Sequence, residues 1–295
     1  MPKVKANGVE LFYDERGDAQ APVVLLIMGL GTQMIAWPDT FCDGLAAAGY
    51  RVIRYDNRDI GLSTTMDGAT AVNPLVAVMM ARLGLKFPLA YSLNDMAADA
   101  VGLLDTLGIA KAHVVGASMG GMIAQLVASG WPERVLTLTS VMSSSGRRGL
   151  PGPTPALRKR LMMKRPAKPS REEAIAAGVD ILTLISHPDP ARDAGAFREM
   201  AAQAFDRGYN PMGVRRQLLA IVADGSRVER LQTIRAPTLV IHGATDPLVP
   251  LPNSEDIARA VPGARLTVIP GMAHDLPPSK VPEMVALIAD HCRAG

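Results

Sequence analysis

The spacing of apolar positions divides the chain into two kinds of territory. In the first, short β-rich apolar runs alternate with stretches whose apolar residues recur every three or four positions. The runs at 23–28, 51–55, 112–115 and 135–141 read as strands. Helical spacing follows at 41–48, through a long region after 55, and at 119–129. Strand followed by helix, repeated, predicts βαβ units and a parallel sheet with helices on both faces. Ahead of these, the apolar run 9–13 follows Asn7-Gly8, a dipeptide suited to the tight turn of an antiparallel hairpin. The alternation returns late, with strands at 238–242 and 265–269 and helices at 254–260 and 281–292.

The second territory lies between. From 143 to 228 there is no β-rich run. Gly146, Gly149, Pro151, Gly152, Pro153 and Pro155 make an extended entry, and helical spacing follows over 157–164, 171–184, 193–206 and 212–223. The expected organisation is an α/β core over 1–142 and 229–295, its sheet mostly parallel and flanked by helices. A helical cap, 143–228, is inserted in it and lies over the sheet as a lid.

Composition narrows the function classes. With 295 residues, 48% of them hydrophobic, the chain can bury a large core. No run approaches the roughly 18 apolar residues of a membrane span. The start, Met-Pro-Lys-Val-Lys-Ala, lacks the apolar stretch of a signal peptide, so a cytoplasmic location is expected. Cys42 and Cys292 are expected to be free thiols, and the five histidines form no metal-ligand spacing, so no metal is expected. A net charge of +3 gives no reason to expect nucleic acid as a partner. The charge is uneven, however: nine Lys or Arg and no acid lie between Arg147 and Arg171. Such a run reads first as a solvated face, and second as an attraction for an anionic substrate.

The chemistry centres on Gly116-Ala117-Ser118-Met119-Gly120. The pattern G-x-S-x-G is short, but here it follows a strand and opens a helix, the context in which it exposes a serine on a sharp turn. The Met119 N–H then lies at a helix N-terminus and can donate to an oxyanion. A serine that only caps the helix is the competing reading. A serine hydroxyl needs a base, and the base needs an orienting acid. Asp246 and His274 stand in loops after the two late strands, in the chain order serine, acid, histidine. Parallel strands would bring all three to one sheet edge. Asp275 is the rival acid. His113 starts a strand at the wrong edge, His242 reads as core or support, His187 lies in the lid and His291 on the last helix. A second oxyanion donor is expected from the loop after 23–28, with Leu30 preferred and Gly29 or Gly31 as alternatives. The same Gly29-x-Gly31 with Asp56 also suggests a dinucleotide site, but Met34 stands where a third glycine would be needed.

Together these segments resemble the α/β-hydrolase superfamily from about residue 9 to residue 292, the lid apart. The likeness rests on GASMGG, MGLGTQMIAW, RYDNRDIGLST, HGATDPLVP and IPGMAHDLP. It is closer to the esterase branch that includes aclacinomycin methylesterase, a polyketide methyl-ester hydrolase, through RYD-x-RD-x-G-x-S and IPGM-x-H. The resemblance implies an α/β-hydrolase fold, Ser118 as nucleophile, Asp246 as acid, His274 as base and Leu30 with Met119 as oxyanion donors. Met28-Gly29 stands where many members carry His-Gly, which makes the pocket floor more apolar.

The function expected is a serine carboxylesterase working through an acyl-enzyme. It would need no cofactor, take a small-molecule ester, and work as a monomer or homodimer. Met28, Gly29, Met34, Met122, Met162 and Met163 are the expected substrate-binding residues, giving an adaptable apolar pocket. The alternatives are a methylesterase of a polyketide-like aromatic ester, a lactonase, a perhydrolase or a carbon–carbon bond hydrolase, and a non-catalytic small-ligand receptor. The stretch 55–59 is expected to form a structural turn near the active edge.

Overall fold

The computed structural model describes residues 2–69, 71–162 and 169–295. Among them the strands form one 8-stranded sheet in the order β1-β2-β4-β3-β5-β6-β7-β8. β1 (Lys3–Ala6) and β2 (Val9–Arg16) are the antiparallel hairpin. Asn7 and Gly8 both take positive φ, 46° and 80°, as the tight turn between twisted strands requires. β2 runs antiparallel to β4 (Arg51–Tyr55), and the rest are parallel: β3 (Val23–Ile27), β5 (Ala112–Ala117), β6 (Val135–Val141), β7 (Thr238–Gly243) and β8 (Arg265–Ile269). β3, β5 and β7 are buried along their whole length, which is why they read as mainly apolar runs.

Two apolar layers sandwich the sheet, and β3 shows how period two divides them. Val23, Leu25 and Ile27 face the core built with α3 (Leu93–Thr106) and α4 (Met119–Gly130). Val24 and Leu26 face the opposite core, with α1 (Asp39–Ala47) and α11 (Val281–Ala294). α10 (Pro252–Ala260) covers the end of the first layer. The long helical region after β4 is two helices, α2 (Pro74–Arg82) and α3, with Gly84 and Pro88 in the break.

Between β6 and β7 lie α5 (Pro155–Met162), α6 (Arg171–Ile185), α7 (Ala196–Arg207) and α8 (Pro211–Asp224), then α9 (Val228–Leu231), a short helix the periodicity did not predict. The turn after β4 is the dock for this insertion. Asp56 accepts from the N–H of Met34 (2.8 Å) and of Leu62 (3.0 Å) and pairs with Arg207 of α7 (2.9 Å). Asp59, at φ 71°, takes both ends of the Arg216 guanidinium of α8 at 2.7 Å. Burial would push the Asp59 carboxyl up, but Arg216 and the Met66 N–H together hold it below the usual carboxylate range. Arg58 pairs with Asp99 of α3 at 2.6 Å, and Asn57 donates to the Met28 carbonyl at 2.9 Å. The stretch 55–59 is a structural turn, and its side chains also grip the insertion.

The basic run is partly paired within the chain. Arg147 bonds Asp256 at 2.9 Å, Arg171 bonds Asp206 at 2.7 Å, and Arg160 pairs with Asp180. Lys164, Arg165 and Lys168 lie outside the described residues. Cys42 and Cys292 are free and buried, and burial pushes both thiols up to about 11. No helix among the described residues is long and apolar enough to cross a membrane.

Candidate active site

The strand-to-helix turn is made by close approach. A Cβ on Gly116 would stand 2.1 Å from the Gly120 carbonyl oxygen, and one on Gly120 would stand 2.0 Å from that of Ile27. Only bare backbone lets α4 start so near β5 and β3. The turn residue between them, Ser118, is held at φ 56° and ψ −118°, a region an L side chain rarely occupies. Its N–H donates to Val141 O (2.9 Å), and its carbonyl accepts from the Ser143 hydroxyl (2.8 Å). The Ser118 side chain accepts no capping bond from α4, so the capping reading falls.

The loops after β7 and β8 bring the other two groups to it. His274 Nε2 is 3.0 Å from Ser118 Oγ, and His274 Nδ1 is 2.7 Å from Asp246 Oδ2. The other Asp246 oxygen accepts from the N–H groups of Leu248 and Val249, both at 2.8 Å. With Asp246 ionised, Nδ1 carries the proton and Nε2 is left as acceptor for the serine hydroxyl. Asp246 and His274 are both buried. The His274 N–H donates to Ile185 O at the end of α6 (2.9 Å), which ties the histidine loop to the insertion.

The other candidates fall elsewhere. Asp275 turns away from His274 to Arg192 and to the Ala273 N–H. His113, on β5, bonds Thr137 (2.9 Å), and His291, on α11, bonds Leu138 O (3.1 Å). His242 bonds Ser254 (2.7 Å) with its Nε2 3.7 Å from Asp246, and burial lowers its basicity. His187 reaches Thr245 in the loop of Asp246 at 3.2 Å.

In the loop after β3, Gly29 lies against Ser118: a Cβ there would be 3.1 Å from the serine Cβ. Gly31 takes φ 66° and its N–H donates to Gln217 Oε1 at 2.9 Å. That engagement removes Gly31 from the possible oxyanion donors. Among the described residues no partner is found for the N–H of Leu30 or of Met119. The methionines take different places. Met28 continues the Val24–Leu26 face into the core under α1 and α11, and Met34 is 1% exposed, its N–H on Asp56. Period two turns Met28 into that core. Met122 belongs to the opposite core, and the side chain of Met162, with all of Met163, lies outside the described residues. A surface groove lined by Asn94, Leu126, Trp131 and Arg230 is remote from the serine.

A doubly covered parallel sheet, a serine on a strained strand-to-helix turn, and an acid and a histidine on later loops of the same edge define the class of protein. The profile of the alpha/beta hydrolase fold matches residues 22–280, and the chain belongs to that family. Rhodomycin D methylesterase DnrP of Streptomyces peucetius is 32% identical over 307 residues, covering 97% of this chain and 96% of its own. Rhodomycin D methylesterase DauP of Streptomyces sp. (strain C5) is 31% identical, covering 99% and 97%. Among solved structures, the enol-lactonase from Burkholderia xenovorans LB400 matches with a TM-score of 0.75 at 23% identity, over 99% of this chain and 100% of that one. The last likeness speaks to the fold alone.

Proposed function

We propose that the protein is a serine carboxylesterase that forms an acyl-enzyme, with α5 to α8 acting as a cap over the site. The observation that carries this reading is the continuous relay Ser118–His274–Asp246 at 3.0 and 2.7 Å. Ser118 Oγ attacks the ester carbonyl carbon while His274 Nε2 takes its proton. The carbonyl oxygen becomes an oxyanion and is met by the N–H groups of Leu30 and Met119. When the tetrahedral centre collapses, the C–O bond to the alcohol breaks and His274 protonates the leaving oxygen. Water, deprotonated by His274, then attacks the acyl-enzyme, and the acid leaves with Ser118 restored. Asp246 holds the imidazole in one tautomer and stabilises its charge. No step calls for a cofactor.

Identity above 30% to two rhodomycin D methylesterases favours methyl esters of bulky aromatic acids over short acyl esters. A panel of p-nitrophenyl esters of rising acyl length, set beside methyl esters of polycyclic aromatic acids, tests both levels. A burst of p-nitrophenol is expected from the wild type. Ser118→Ala should abolish it and lower kcat by about 10⁴-fold or more. Full turnover by Ser118→Ala would sink the reading. Faster turnover of butyrate than of any aromatic methyl ester would remove the finer substrate while leaving the esterase.

A further inference from the structure

The insertion reaches the oxyanion loop through one buried amide. α8 turns Gly213, Arg216, Gln217 and Ala220 inward, the spacing of one helix face. Gln217 is completely buried, and an amide in that position would normally give way to an apolar side chain of similar volume. Here both ends are used. Its Oε1 accepts from the Gly31 N–H and its Nε2 donates to the Arg58 carbonyl, each at 2.9 Å. One side chain thus bridges the loop after β3 and the turn after β4. α8 packs so near this loop that a Cβ on Gly31 would meet two Val214 methyls at 2.9 Å. The helix is itself fixed by the Arg216 pair with Asp59.

We infer that Gln217 is a positioning residue for the oxyanion hole. By taking the Gly31 N–H, it fixes the peptide units of the loop and leaves Leu30 as the donor offered beside Ser118. The hole is therefore complete only while α8 is seated on the core. This rests on the esterase reading above. Displacement of a catalytic donor by about 1 Å can cost on the order of 10²-fold in rate, so the effect should be large for a residue that touches no substrate.

The test compares wild type, Gln217→Leu and Gln217→Met with Arg215→Ala. The last removes a different α8 bond, to the Val72 carbonyl at 3.1 Å. A fluorophosphonate probe first counts reactive Ser118. Per labelled site, both Gln217 variants should lose about 10- to 100-fold in kcat on p-nitrophenyl butyrate, with KM within about two-fold. Affinity for a trifluoromethyl ketone, whose serine adduct carries an oxyanion, should fall by a like factor. Arg215→Ala should keep both per-site quantities, whatever its Tm. Per-site kcat and ketone affinity close to wild type in either Gln217 variant would overturn the inference, as would a rise in KM alone. A wild type that the fluorophosphonate leaves unlabelled would instead overturn the esterase reading and this inference with it.

Discussion

Single side chains that do no chemistry set how this protein responds to acid. His113 sits in the sheet layer, bonded to Thr137 and edge-on to Tyr50. Burial, with a smaller push from His291, lowers its imidazole from 6.5 to about 4. His242 and His291 are lowered by burial in the same way. The folded chain thus prefers these rings neutral, whereas the unfolded chain protonates them near 6.5. Above that pH the stabilisation is complete. As pH falls toward 4 the unfolded state binds protons that the native state refuses, and stability drops. Urea unfolding followed from pH 7 to 4.5 should show this loss. His113→Gln should flatten the slope by up to about 1.4 kcal/mol per pH unit; an unchanged slope would place the acid sensitivity in other groups.

At the scale of elements, α8 and the turn after β4 behave as one unit. Arg216 and Asp59 are both buried, so removing either partner strands a charge and should cost about 3–5 kcal/mol. Arg216→Met and Asp59→Asn should each lower the urea midpoint, and the double variant should be less destabilised than the sum of the two. Additive losses would mean that the pair is not coupled. None of this was readable in advance. RYDNRD announces a turn, but its partners Arg207, Asn210 and Arg216 lie about 150 residues away on helices that look only amphipathic. Gln217 likewise reads as an ordinary polar position. β3, β5 and β7 were legible almost to the residue, because full burial demands mainly apolar runs. The meeting of Ser118, His274 and Asp246 was legible because the turn at Ser118 requires glycines and because parallel strands end at one edge. The methionine lining is less legible, because hydrophobic character alone does not say whether Met28 faces substrate or core.

The molecule as a whole is assembled around a seam. β6 and β7 are neighbours in the sheet, with Val141 opposite Ile241, yet the entire helical insertion separates them in the chain. Closing so long a loop is slow compared with the short βα steps that pair β3 with β4 and β5 with β6. Ser118 and its anchor Val141 belong to the part made before the seam, and Asp246 and His274 to the part added after it. Both tryptophans, Trp37 and Trp131, also precede the seam. The chain therefore carries two separate clocks. On refolding from urea, tryptophan fluorescence should recover first, timing the N-terminal half, and ester turnover later, timing the docking of β7 and β8. Simultaneous recovery would mean the sheet closes in one step. A nascent chain with its serine already on the turn would meanwhile be chemically inert, since the base arrives with the last strand.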